Sequence, residues 1–306
     1  MALRRSFSYV KFVAFRSVYG FFENAGIHIT PVHFYEPIPD SRELRKRERI
    51  WESETELVGI DMDVPRQLSL LREIFPSFKQ EYEFPGQKTR VPFEFYLENG
   101  MFEAVDAEVA HCMVRHFLPK KIIEIGSGFS TRLLARACLL NKEKAGRETR
   151  LFTIDPYPGD IVARGFPGLT SLTREKAENI DLAFLLQLNE GDILFIDSSH
   201  VARIGSDVNY LFPEVLPRLK PGVIVHVHDI FLPREYPREW VLGLRRSWNE
   251  QYLLQAFLTY NQAYTVLWCG SYMHLHHLQE LKTAFPSYNG LIYPKSFWMR
   301  RKPAAD

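Results

Sequence analysis

The sequence predicts an α/β fold built on a mostly parallel sheet, on three observations. Short β-branched or aromatic runs alternate with segments of helical pattern, as at Ile122-Ile123-Glu124-Ile125, Leu151-Phe152-Thr153-Ile154, Ile193-Leu194-Phe195-Ile196 and Val223-Ile224-Val225. The first run leads through Gly126-Ser127-Gly128 into a helical stretch. The later runs end in acids or imidazoles, residue types suited to the ligand crevice at the carboxyl ends of parallel strands.

The segment from Leu3 to Phe22 mixes Arg4, Arg5, Lys11 and Arg16 with aromatic and aliphatic residues. Its apolar positions surround most of a helix, which favours packing over the domain or against another subunit above lying on a membrane surface. Pro31, Pro37 and Pro39 forbid a regular helix over Thr30 to Asp40 and predict a rigid lid, with His33 and Tyr35 as candidate substrate contacts. Arg42 to Glu56 carries dense charge, the pattern of a solvated helix face, within a charged, helical stretch over 41–80. Residues 1–90 are therefore expected to form an N-terminal helical cap with a Pro-rich loop, and residues 91–306 the main domain.

Phe93 to Asp106 precedes the first strand. Asn99 and Asp106 within it are candidate cofactor or substrate contacts, or ordinary capping residues. Gly126 and Gly128 let the chain turn tightly and approach a ligand closely, and the helix from Thr131 to Leu140 leaves free N–H groups at its start. The full dinucleotide fingerprint is absent, because position 131 is Thr. Asp155 ends the second strand, where it can accept hydrogen bonds from two ribose hydroxyls. It follows Gly128 by more than the roughly 20 residues of the dinucleotide pattern, and the polar insert from Asn141 to Thr149 accounts for the excess.

The third strand is placed near Gly168 to Leu172. Asp192 to Asp197 and Gly222 to Asp229 follow as the fourth and fifth, so Asp197, His200, His228 and Asp229 share one edge. His226 lies one pleat period deeper than His228 and reads as a core histidine. The loop beyond Asp229 brings Tyr236 as a candidate substrate contact. Trp248 to Leu258 reads as a helix, Tyr264 to Cys269 as the sixth strand, Leu278 to Ala284 as a helix and Ser296 to Arg300 as the last strand. His274, His276 and His277 lack an acid or Cys at ligand spacing and read as a surface or interface cluster.

Glu124-x-Gly126-x-Gly128, Asp155, the Asp197/His200 pair and the His228-Asp229 pair together resemble class I S-adenosylmethionine (SAM) dependent methyltransferases. The similarity is to the methyltransferase 24 type and its metal-dependent O-methyltransferase relatives, which modify natural products. That resemblance implies a Rossmann-like seven-stranded methyltransferase sheet whose last strand is antiparallel. It also implies SAM held by Glu124, Gly126, Ser127, Gly128, Ser130, Asp155 and Asn99, and a divalent metal on Asp197, His228 and Asp229. Relatives usually carry a carboxylate at the position of His228. An imidazole there shifts preference from Mg²⁺ towards Mn²⁺ or Fe²⁺.

His200 can accept a proton from a substrate hydroxyl as general base, since an imidazole titrates near working pH. It can equally be a third metal ligand. Two rival classes stay open: a metal-dependent oxidative or hydrolytic enzyme using Asp197, His200 and His228, and an inactive SAM-binding module.

With 38 basic and 37 acidic residues the chain has no global pull towards nucleic acid, so a small-molecule acceptor is expected. No membrane span is visible. Cys112, Cys138 and Cys269 show no pairing pattern and read as reduced thiols of a cytoplasmic protein. The N-terminal segment leaves room for a homo-oligomer.

Overall fold

The computed structural model describes residues 18–30 and 32–303. Most of the Leu3 to Phe22 segment therefore lies outside the described residues. The chain divides into two compact units, Met1–Ile50 with Glu239–Ser247, and Trp51–Arg238 with Trp248–Asp306.

The larger unit holds a seven-stranded sheet of order β3-β2-β1-β4-β5-β7-β6. Its strands are β1 (Lys121–Ile125), β2 (Arg150–Ile154), β3 (Leu169–Thr173), β4 (Ile193–Ile196), β5 (Ile224–Val227), β6 (Tyr264–Cys269) and β7 (Phe297–Arg301). All neighbouring pairs are parallel except those of β7, which runs antiparallel to both β5 and β6. The expected sheet and its reversed last strand are both present.

The pleat sorts the strand residues between two cores. Ile122, Ile193, Phe195 and Ile224 face one, together with helices α1 (Asp106–Phe117) and α2 (Phe129–Ala145); Ile123, Ile125, Leu194, Ile196, Val225 and Val227 face the other. Burial on both faces explains why β4 reads as an unbroken apolar run and why β1 and β5 are interrupted within the core only by the buried Glu124 and His226. Glu124, Phe195, His226 and Trp298 lie in register across four strands. His226 stacks on Phe195 with ring centres 3.7 Å apart, the expected core histidine; burial first, then its neighbour His228, pushes its pKa well down.

The 41–80 stretch is not one helical region. Short helices at Ser41–Leu44, Arg49–Glu52 and Val64–Ser69 are followed by π and 3-10 turns over Leu70–Ile74 and Phe75–Glu81, and Pro65 and Pro76 remove the N–H groups a longer helix needs. Leu70, Leu71, Phe75, Tyr82 and Phe84, expected in the cap, join the core around α1 and α2. Glu81 fastens this segment to both helices through Arg115 at 2.6 Å, His111 at 3.2 Å and Lys144 at 3.1 Å.

In the smaller unit, Asp40 caps the Ser41–Leu44 helix by accepting from the Arg42 amide at 2.8 Å. Among the described residues no helix is long and apolar enough to cross a membrane.

Two groups position the turn after β1. Gly126 has φ +91°, and a Cβ there would sit 1.8 Å from the Asp197 carbonyl oxygen. Glu124 is fully buried and accepts from Ser130 Oγ of α2 at 2.7 Å and from Thr153 Oγ1 of β2 at 2.8 Å. Burial pushes its pKa up to about 7, with the two hydroxyls opposing.

Gly126→Ala is predicted to lower unfolding free energy by about 3 kcal/mol or more, from left-handed strain and overpacking together. Denaturant unfolding measures it, and a loss within about 0.5 kcal/mol, the scatter of a neutral surface change, contradicts the close approach. Because the folded pKa of Glu124 is raised, the native state binds the extra proton between its ordinary value and about 7. Stability conferred at low pH is thus lost as pH rises through that window. Relative to wild type, Glu124→Gln should gain by up to about 3 kcal/mol from pH 4.5 to 7 and change no further above it. Parallel pH profiles of the two proteins contradict this.

Candidate active site

β4 and β5 end side by side, and the chain leaves each in an unusual way. Asp197 follows β4 directly, and His200 lies three residues on with φ +58°; Asp229 follows β5 with φ +55°. Left-handed backbone in a non-glycine residue costs on the order of 1–3 kcal/mol and persists only where surrounding contacts enforce it. Here they do. Ser199 donates to the Asp207 carboxylate through both its amide (2.9 Å) and its hydroxyl (2.5 Å). The His200 carbonyl accepts from the amides of Asn249 and Glu250 at 3.1 and 3.3 Å.

These loops bring three side chains together. His200 Nε2 lies 3.5 Å from Asp197 Oδ1 and 3.4 Å from Asp229 Oδ2, and one ligand atom from each residue falls within 4.8 Å of the others. His200 Nδ1 is 2.8 Å from Glu250 Oε2, and the ring packs against Trp248 at 4.4 Å. Lys295 Nζ approaches Asp229 Oδ1 at 3.0 Å.

Burial would lower the His200 pKa, but Asp197, Glu250 and Asp229 outweigh it and hold the imidazole well above its ordinary value. Burial would likewise raise both aspartates; the neighbouring imidazoles, with Lys295 beside Asp229, keep both below the usual carboxylate range. Two carboxylate oxygens and an imidazole nitrogen at this spacing fit a divalent cation, and the nitrogen donor suits Mn²⁺ or Fe²⁺ better than Mg²⁺.

His228, expected as a metal ligand, is not part of this group. The strand pleat lays its ring over the sheet face, stacked 5.6 Å from His226 and 4.9 Å from Phe102. Among the described residues its ring nitrogens have no hydrogen-bond partner, and its nearest acid is Asp229 at 3.7 Å.

The Gly-rich turn lies beside these residues, since β1 pairs with both β2 and β4. Ser127 Oγ donates to Asp155 Oδ2 at 2.5 Å, and the Tyr157 amide donates to Asp155 Oδ1 at 2.7 Å, which turns the carboxylate from the end of β2 towards the turn. Space is open where a Cβ of Gly128 would sit, at the start of α2. A charged ligand's approach to free helical N–H groups needs that opening.

Several expected contacts are occupied otherwise. Ser130 faces inward to Glu124, so this pair braces the turn from beneath. Asn99 spends its amide on its own loop, donating to the carbonyls of Tyr96 and Phe102 and accepting from the amides of Met101 and Phe102. Asp106 accepts from the amides of Lys295 and Ser296 and ties α1 to the start of β7. Tyr236 is buried, and its hydroxyl accepts from the Gln251 amide at 3.1 Å. His33 and Tyr35 belong to the smaller unit, where both are exposed and pack on Phe34. His274, His276 and His277 turn to Tyr288, Glu54 and Glu280 respectively.

Glu250 and Lys295 were not read from the sequence. Glu250 opens a helix, where an acid reads as a complement to the helix dipole. Lys295 had one available signal: an antiparallel last strand must begin where β5 ends.

A family described as "Methyltransferase domain" matches residues 123–230, from β1 to just beyond Asp229. An uncharacterized protein of Archaeoglobus fulgidus is 35% identical over 169 residues, 53% of this chain and 75% of that protein. Among solved structures, the apo-structure of CmcI-N160 is similar at 18% identity and TM-score 0.39, over 66% of this chain and 73% of that one. The O-methyltransferase from Bacillus cereus in complex with SAH is similar at 14% identity and TM-score 0.37, over 77% and 91%. With the sheet order, the Gly-rich turn and the matched stretch in agreement, the chain belongs to the class I SAM-dependent methyltransferases, of the methyltransferase 24 type.

Proposed function

We propose that the protein is a metal-assisted O-methyltransferase acting on a hydroxyl of a small molecule, such as a sugar, phenol or other natural product. The observation that carries this reading is the convergence of Asp197, His200 and Asp229 beside the Gly-rich turn. A pure SAM binder has no use for a buried and a half-buried carboxylate gathered round a buried imidazole, with His200 and Asp229 both in strained backbone.

SAM brings a methyl group already activated on a sulfonium, so the chain's work is alignment and deprotonation. Ser127, Gly128 and Asp155 would hold the cofactor, with Asp155 on the ribose. Asp197 and Asp229 would hold a divalent cation, which when bound lowers the pKa of a substrate hydroxyl and offsets the charge that keeps His200 protonated. His200 Nε2 would take the hydroxyl proton as the oxygen lone pair attacks the methyl carbon that SAM would supply, with S-adenosylhomocysteine as the leaving group. His200 Nε2 faces the two acids that would hold the cation, the side on which a base serving that hydroxyl is required.

A second reading, with His200 as third ligand, is favoured by the close approach of all three donor atoms and by the carboxylate behind Nδ1, an arrangement common for metal-bound histidine. Cys112, Cys138 and Cys269 are all free and buried, in keeping with a reducing, cytoplasmic setting.

His200→Ala is expected to leave SAM affinity nearly intact while lowering turnover about 100-fold or more. Unchanged turnover contradicts the base, and a collapse of Mn²⁺ affinity in the same variant favours the ligand. Asp155→Ala should weaken SAM binding about 10- to 100-fold by calorimetry, the scale of one hydrogen bond to a charged group. Wild-type affinity in that variant contradicts the ribose assignment.

A further inference from the structure

We propose that Glu250 is a positioning residue: it fixes the ring of His200 with Nδ1 as donor, so that Nε2 faces Asp197 and Asp229. The role rests on the methyl-transfer reading above, but the geometry behind it is independent of which cation binds.

Helix α3 (Glu250–Leu258) begins at His200 and is built around it. Glu250 and His200 are both buried, and their 2.8 Å contact joins residues fifty positions apart in the chain. The carboxylate faces Nδ1, and a carboxylate can only accept there, so Nδ1 carries the hydrogen. The backbone holds the same register. The Asn249 and Glu250 amides donate to the His200 carbonyl, while Asn249 Oδ1 accepts from the Ala202 amide at 2.6 Å. Trp248 covers the ring face.

The first turn of α3 also reaches the other acid. Gln251 Oε1 accepts from the Phe231 amide at 3.1 Å, two residues past Asp229. One helix start thus steadies the loops after both β4 and β5, while Leu254 and Leu258 anchor it in the core. Among the described residues Glu250 Oε1 has no hydrogen-bond partner. A purely structural carboxylate would be expected to use both oxygens, because a buried unpaired one is costly.

The test compares Glu250→Leu with Glu250→Gln in the full-length protein. Leu fills the space without a hydrogen bond, whereas the Gln carbonyl can still accept from Nδ1. Positioning predicts that kcat falls about 10- to 100-fold in the Leu variant and recovers substantially in the Gln variant, with KM for SAM little changed in either. Leu also leaves the buried Nδ1–H of His200 unpaired and should lower thermal stability, so the kcat-against-KM split and the Nδ1 resonance, which a merely structural role would not move, carry the test. In ¹⁵N-histidine-labelled wild type, the Nδ1 proton of His200 should give a low-field resonance that is lost in Glu250→Leu and in His200→Ala.

A Leu variant as active as the Gln variant overturns the proposal, as does the absence of that resonance from wild type. His200→Ala separates the two claims. If it keeps full turnover, the base reading fails and the resonance still decides the positioning; if it loses turnover while Glu250→Leu does not, the positioning alone fails.

Discussion

The contact between the turn after β1 and the end of β4 governs the site. Gly126 lies so close to the Asp197 peptide that a methyl group cannot enter, and its left-handed backbone is one that glycine alone adopts freely. This contact sets the distance between the proposed SAM turn and the proposed ion-binding acid. Glu124 secures the same turn from below by joining β1 to β2 and α2. The proposed cofactor and acceptor sites are thereby held by one piece of backbone, which suits a reaction whose rate depends on aligning two bound molecules.

Beyond the turn, the edge works by concentrating charge. Asp197, Asp229 and Glu250 surround His200, with Lys295 as the nearby cation. Burying such groups costs several kcal/mol per ion unless each is paired. Both His200 and Asp229 also sit in left-handed backbone, so the fold spends stability here in two ways. Strain and charge accumulate at functional edges when the surrounding loops over-determine the geometry. The Asp207 clamp and the first turn of α3 supply that restraint.

The limits of the sequence reading follow physical lines. β1, β4, β5 and β6 were legible because strands buried on both faces are mostly apolar, whereas β3, at the sheet edge, is only partly buried and its Leu-Thr-Ser-Leu-Thr pattern is weaker. The 41–80 stretch falls into short pieces that charge pattern alone could not foresee; Pro65 and Pro76 mark the later ones, and the gaps after Leu44 and Glu52 have no proline to announce them. Asp197, His200, Asp229 and Asp155 could be placed at one edge from sequence because parallel strands deliver their carboxyl ends there. His228 lies outside the Asp197/His200/Asp229 group because the pleat that pairs it with His226 keeps it on the sheet face. Glu250 was invisible because only tertiary folding brings α3 to His200, and Asn99 was misread because a loop's own carbonyls consumed its amide.

The central claim is that Asp197 and Asp229 bind a cation required beside SAM. Calorimetric titration of Mn²⁺ into metal-stripped protein with SAM present, compared with the Asp197→Asn variant, tests it most directly. The account predicts one micromolar site in the wild type that is lost in the variant, with SAM affinity unchanged. Mn²⁺ binding of equal strength in both proteins, or in neither, would contradict it.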